Sequence, residues 1–235
     1  MVLTDYLLEA QQRMRLARNY LAWQSRLVRA ELGRRVVEVG CGIGTFTGEL
    51  LDREAVLALD IDSESIESVR RQYGDRPNLR TLICDAGSGG LDGLRDFRAD
   101  SCVCLNVLEH IEDDSTALAG MASLLTSGGV VVLLVPAFQA LYGPIDHNLG
   151  HFRRYRASMI ARLAAEVGLE ARKMFYLNSV GFVAWWASSK ILMREFHSEE
   201  QIAWYDRYCI PLIERLESRS RPPFGQSLFA VLRKP

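Results

Sequence analysis

Apolar residues recur at helical spacing from about Asp5 to Leu32 (Leu7, Met14, Leu21, Leu27) among Arg and Gln, which predicts one or two amphipathic helices. Past Leu32 the period shortens. Short aliphatic runs at Val36–Val39, Ala55–Leu59, Leu79–Cys84, Ala99–Leu105 and Val130–Val135 predict five strands. Thr45–Asp52, Ser63–Tyr73 and Asp114–Leu125 predict helices between them. Strands alternating with helices build right-handed βαβ units, and hence a parallel sheet covered on both faces. Val130–Val135 has no polar position, as expected of a strand buried on both sides. After Pro136 come a polar and aromatic loop, a helix at Ser158–Val167 and a strand near Lys173–Leu177. Asn178 to Gly225 reads as helical and unusually apolar, with a stop at Pro222–Pro223, and Ser227–Leu232 reads as a final strand.

The pattern predicts an α/β fold, doubly wound, with a mostly parallel seven-stranded sheet in a single domain. Its parts are an N-terminal helical cap (1–32), a core (33–177), a helical insertion (178–226) and the last strand (227–235). Composition agrees: in 235 residues, 49% are hydrophobic and 24% charged, enough for one sizeable core. The net charge of -1 lacks the basic excess of a polyanion binder, so nucleic acid is not an expected partner. Five cysteines without a CxxC pair predict neither a disulfide framework nor a zinc site, but buried thiols in a reducing cytoplasm. Cys102 and Cys104, two apart on a strand, are expected to share one packed face. The N-terminus has early acidic residues and no long apolar stretch, so no signal peptide is expected. Val180 to Met193 is interrupted by Lys190 and falls short of the roughly 20 residues of a membrane span. A soluble, cytoplasmic protein follows, with peripheral membrane contact and a homodimer left open.

The candidate chemistry begins where the first strand runs into Glu38-Val39-Gly40-Cys41-Gly42-Ile43-Gly44-Thr45. Alternate glycines let the turn tighten and a ligand approach the backbone. The second strand ends in Asp60, where a carboxylate accepts both hydroxyls of a ribose, and Asp85 follows the third strand, placed for an exocyclic adenine amine. A dinucleotide fingerprint spaces its glycines G-x-G-x-x-G, whereas this loop reads E-x-G-x-G-x-G. Glu38 would repel a pyrophosphate and favour an ammonium or sulfonium.

Together with Ile83–Ala86, Asn106-Val107-Leu108-Glu109-His110 and Leu124–Val135, these stretches resemble the successive motifs of class I S-adenosylmethionine-dependent methyltransferases. The resemblance covers roughly residues 10 to 177 and implies a Rossmann-like fold, with S-adenosylmethionine as cofactor and S-adenosylhomocysteine as product. It implies that Gly40, Gly42 and Gly44 bear the methionyl part and that Asp60 holds the ribose. Ile61 would pack on the adenine, Asp85 and Ala86 would face its edge, and Asn106 would lie near the sulfonium. Tyr20, on the N-terminal helix, is expected to close over the carboxylate end. Glu109 and His110 have the plainer reading of a helix-start pair that steadies the loop.

A second polar cluster spans Leu141 to Tyr155 at the carboxyl edge of the sheet. His151 is the first candidate general base, with His147 or Asp146 second, because histidine titrates near neutrality. Tyr142, Arg154 and Tyr155 are candidate acceptor contacts, and Arg153 with Arg154 suits a carboxylate or phosphate. The alternative is that His151, Arg154 and Tyr155 only pin the loop. The Gly-His-x-Arg-Arg-Tyr string resembles a subgroup of bacterial small-molecule methyltransferases, some associated with glycosyltransferases, which implies a small-molecule, glycan or lipid-linked acceptor methylated on oxygen. Phe182–Met193, with Trp185 and Trp186, would line an acceptor pocket, face a membrane or be buried in the core or a dimer. Glu195–Glu200 reads as a solvated helix face, and no metal-ligand spacing is recognisable. A non-catalytic S-adenosylmethionine-binding protein and an NAD(P)-dependent oxidoreductase are the competing readings.

Overall fold

A computed structural model describes residues 12–187 and 198–235. Five strands follow the predicted order: β1 (Arg35–Val39), β2 (Ala55–Asp60), β3 (Leu79–Ile83), β4 (Ala99–Leu105) and β5 (Leu125–Pro136). They pair in parallel, and β6 (Glu170–Leu177) and β7 (Ser227–Arg233) complete a seven-stranded sheet of order β3-β2-β1-β4-β5-β7-β6. β7 runs antiparallel to both neighbours, with Leu133 opposite Ala230 and Phe175 opposite Phe229.

Helix α1 (Arg18–Arg29) precedes the sheet; α2 (Ser63–Tyr73), α3 (Asp114–Leu124), α4 (Pro144–Asn148) and α5 (Ala157–Glu166) connect its strands. Between β6 and β7 lie α6 (Ser179–Trp186), α7 (Glu199–Tyr208) and α8 (Ile210–Glu217), the observed helices of the predicted insertion. Acceptor side chains start several of them: Asp62 caps α2, Asp113 caps α3 and Ser198 caps α7 through the amides of Ser65, Thr116 and Gln201.

Alternation divides β5 between two cores. Val131, Leu133 and Val135 join the Cys102, Cys104, Met121 and Ile160 side, while Val132 and Leu134 join Trp23, Val28, Ile210 and Phe229 on the other. Cys102 and Cys104 thus share a buried face as expected, and all five cysteines are free. One expectation fails. Thr45–Asp52 forms only a short 3-10 turn at Thr47–Leu50, because β-branched Thr45 and Thr47 and the interior Gly48 disfavour an α-helix.

The strand order turns outward in both directions from the β1/β4 pair, so the loops leaving these two strands diverge and open a crevice at the carboxyl edge. Among the described residues, no helix is long and apolar enough to cross a membrane. The segment 188–197, holding part of the apolar Phe182–Met193 run and of the Glu195–Glu200 run, lies outside the described residues. Glu199 and Glu200 are exposed in the first turn of α7.

Candidate active site

The glycine turn folds back on the sheet through Gly40 and Cys41, whose amides both donate to the Leu59 carbonyl. Gly40, at φ 76°, lies in the left-handed region, and a Cβ there would meet Val107 at 2.2 Å. That close approach joins the loops leaving β1 and β4. Beneath the turn, Glu38 is 4% exposed and accepts from the Thr47 hydroxyl at 2.6 Å. Burial pushes its carboxyl up to about 8, against the Thr47 hydrogen bond and helped by the nearby Asp60 charge. A buried acid with one hydroxyl partner suits a cationic neighbour.

Asp60 is held from two sides. Its oxygens accept from the Gly42 amide at 2.7 Å and the Asp62 amide at 3.0 Å. Burial raises its pKa although both amides oppose the shift. Beside it Ile61 is 66% exposed and Ile83, opposite Asp60 in the β2/β3 register, is 52% exposed. Two uncovered aliphatic side chains next to an ordered carboxylate form a shelf for a flat base with its ribose. Asp85 is exposed and uses Oδ1 to cap its own turn through the Gly87 amide at 2.8 Å, and Ala86 is buried behind it. Asn106 ends β4 at φ 53° with its side chain exposed. These residues fit a nucleoside that carries a positive charge toward Glu38.

Tyr20 departs from its expected place. It sits on the inner face of α1 with Trp23, buried, and its hydroxyl meets the Ser227 hydroxyl at 3.0 Å. Among the described N-terminal residues, Arg15 reaches the glycine turn, donating to the Ile43 carbonyl at 3.2 Å and the Thr45 hydroxyl at 3.3 Å. Gln72 of α2 donates to the same carbonyl at 2.8 Å. No sequence motif marks either residue, since both act through a backbone oxygen.

The Leu141–Tyr155 loop is stitched to the loop after β4. The Phe152 amide donates to the Glu109 carbonyl at 2.8 Å, and the Tyr155 hydroxyl to Asp114 at 2.9 Å and Leu108 at 3.2 Å. Arg153 pairs with Asp114 at 2.8 Å and donates to the Glu112 carbonyl at 2.7 Å. Arg154 is 2% exposed and forks onto Asp146 at 2.7 and 2.9 Å, with Trp185 stacked 4.9 Å from its guanidinium. Arg154 and Tyr155 are therefore spent on the framework and closed to an acceptor, and Tyr142 donates to the His151 carbonyl at 2.7 Å. A buried Arg–Asp fork explains Arg154, and sequence spacing could not tell it from an exposed anion site.

Asp146 is fully buried and fixes His151, whose Nδ1 lies 2.8 Å from Oδ1. Burial opposes its charge, but the hydrogen bonds and charges of His151 and Arg154 hold its pKa below the usual range. Asp146 is thus a positioning group, and His147 is exposed. The His151 ring meets His110 edge-on at 4.6 Å, and Glu109 is buried beside them. Burial pushes Glu109 up to about 8, and burial with the His151 charge pushes His110 down to about 4.

Residues 37–133 match the model of a methyltransferase domain family. This domain and the sheet around it have the fold of class I S-adenosylmethionine-dependent methyltransferases. The methyltransferase sheet is also that of solved relatives. A S-adenosylmethionine-dependent methyltransferase from Archaeoglobus fulgidus superposes with TM-score 0.61 at 19% identity, covering 93% of this chain and 94% of that one. The N-methyltransferase NodS from Bradyrhizobium japonicum, solved with S-adenosyl-L-homocysteine, gives TM-score 0.55 at 16% identity over 97% and 88%. Ubiquinone biosynthesis O-methyltransferase of Methylococcus capsulatus is 30% identical over 156 residues, 60% of this chain and 65% of that protein. The chain spans about half the length of the first curated relatives it matches.

Proposed function

We propose that this methyltransferase transfers the methyl group of S-adenosylmethionine to an oxygen of an acceptor with an extended apolar part, such as a lipid-linked molecule. The observation that carries the acceptor class is a cavity of about 740 Å³ lined by Tyr20, Trp185, Ile202, Trp204, Tyr205 and Ile210. It adjoins the His151 cluster through Trp185, which stacks on Arg154, which in turn holds Asp146. A mostly apolar cavity suits a prenyl or aromatic group better than a free glycan. The Methylococcus relative's name, an O-methyltransferase, supports oxygen as the methylated atom.

When bound, the cofactor supplies an electrophilic methyl group. Gly40, Gly42 and Gly44 would seat its methionyl part, Asp60 the ribose, Ile61 the adenine and Asn106 the sulfonium side, with Glu38 balancing the charge. The His151 cluster would take up the proton that an acceptor hydroxyl gives up when its oxygen is methylated. The remaining reading, binding without turnover, predicts cofactor binding with no methyl transfer to any acceptor.

Calorimetric titration with S-adenosylmethionine, S-adenosylhomocysteine and NADH tests the site, alongside Asp60→Ala. Micromolar binding of the first two, weakened at least tenfold in the variant, is expected. Preference for NADH, or no binding, overturns the reading. Methyl transfer to prenylated phenols but not to soluble sugars is expected for the acceptor class, and the reverse order rejects it.

A further inference from the structure

Glu109, His110 and His151 each offer a ligand atom, and these atoms lie within 4.8 Å of one another. Three features set the group apart from an ordinary polar cluster. Glu109 is 1% exposed, and its Oε2 has no hydrogen-bond partner. Such an atom is expensive to bury unless something occupies the space before it. His151 is held through Nδ1 by Asp146, leaving Nε2 as its outward atom. The His110 ring packs edge-on against that of His151 at 4.6 Å. A carboxylate behind an imidazole, as Asp146 stands behind His151, is the arrangement that orients metal-binding histidines.

We propose that Glu109, His110 and His151 bind a divalent transition-metal ion of the zinc type, with Asp146 as an outer support. Two neutral imidazoles and one carboxylate make a nitrogen-oxygen set suited to zinc, and three protein ligands leave one position open. Ligands on 2.1 Å bonds at the tetrahedral angle stand roughly 3.4 Å apart, so modest side-chain rotation closes the group around an ion. The ligands come from two loops far apart in sequence, which is why no compact spacing announced them.

The open position is where the acceptor oxygen would bind. This use rests on the methyl-transfer reading; the ion site itself does not. With the ion in place His151 Nε2 is a ligand, and the acceptor hydroxyl, polarised by the cation, releases its proton to solvent instead. The oxygen then attacks the methyl carbon, forming the new O–C bond as the S–C bond breaks, so charge and atoms balance.

The test titrates chelator-treated protein with ZnCl2 and, separately, CoCl2. One equivalent is expected to bind, and the Co(II) form should show the visible absorption of a low-coordinate site. Glu109→Gln and His110→Ala should weaken binding at least tenfold, and Asp146→Asn by about 10–100-fold, as loss of an outer support does. Binding of S-adenosylmethionine to each variant reports that it is folded. Absent stoichiometric binding, or binding unchanged in these variants, overturns the proposal. Intact metal binding with no S-adenosylmethionine binding in the wild-type protein would instead defeat the methyl-transfer reading and leave the ion site standing.

Discussion

Glu38 lies where the glycine turn leaves β1, with a hydroxyl as its partner and a pKa pushed up to about 8. Because the folded form holds the proton at a pH where the unfolded glutamate has lost it, this group stabilises the fold most at low pH. That contribution fades as pH rises from the ordinary glutamate range through about 8. A cationic ligand favours the ionised form, so S-adenosylmethionine should displace a proton on binding near neutrality. Calorimetry at pH 7 in two buffers of different ionisation enthalpy should show proton release that Glu38→Gln abolishes. Gly40 gives a second prediction. Gly40→Ala should cost about 2–4 kcal/mol, from the left-handed backbone and the Val107 overlap. Val107→Ala should restore part of that loss, measured as coupling in a denaturation double-mutant cycle. At this scale the sequence was legible where backbone geometry dictates the residue, as in the glycines and strand-end Asp60. It was silent on direction: Arg154, Tyr155 and Tyr20 are polar residues whose burial depends on partners distant along the chain.

Strand periodicity was equally legible, because β5 needs apolar positions toward both cores, whereas Thr45–Asp52 misled because a helix-length gap holds only a 3-10 turn. The insertion's helices could be foreseen, but not the carboxylates that lock them. Asp206 of α7 is buried and accepts from the amides of Asn19 and Tyr20, capping the first turn of α1 across the molecule. Glu217 of α8 does the same for α6 through Asn178 and Ser179. Asp206→Ala should therefore cost about 2–4 kcal/mol, since two amides lose a charged acceptor. Asp206→Asn should cost less, and chemical denaturation midpoints will rank the two.

Over the whole molecule, residues of α1 and of α6, α7 and α8 line the cavity, while the sheet edge supplies the glycine turn and the histidine cluster. For an acceptor of the proposed kind, the apolar part and the reacting oxygen would thus be governed by different parts of the chain. Trp185→Ala should raise KM for a prenylated acceptor more than it lowers kcat, and leave cofactor affinity within about twofold, an effect of order 0.4 kcal/mol. Steady-state kinetics across acceptors of graded chain length would measure it. The placement of β7 has a further consequence, in time. During translation β5 and β6 leave the ribosome well before residues 227–233, yet the strand that belongs between them is made last. Until then the nascent chain carries two bare strand edges, the hazard that recruits chaperones or neighbouring chains. A chain stopped at residue 226 should accumulate in the insoluble fraction, and supplying residues 227–235 as a separate peptide during refolding should return part of it to solution.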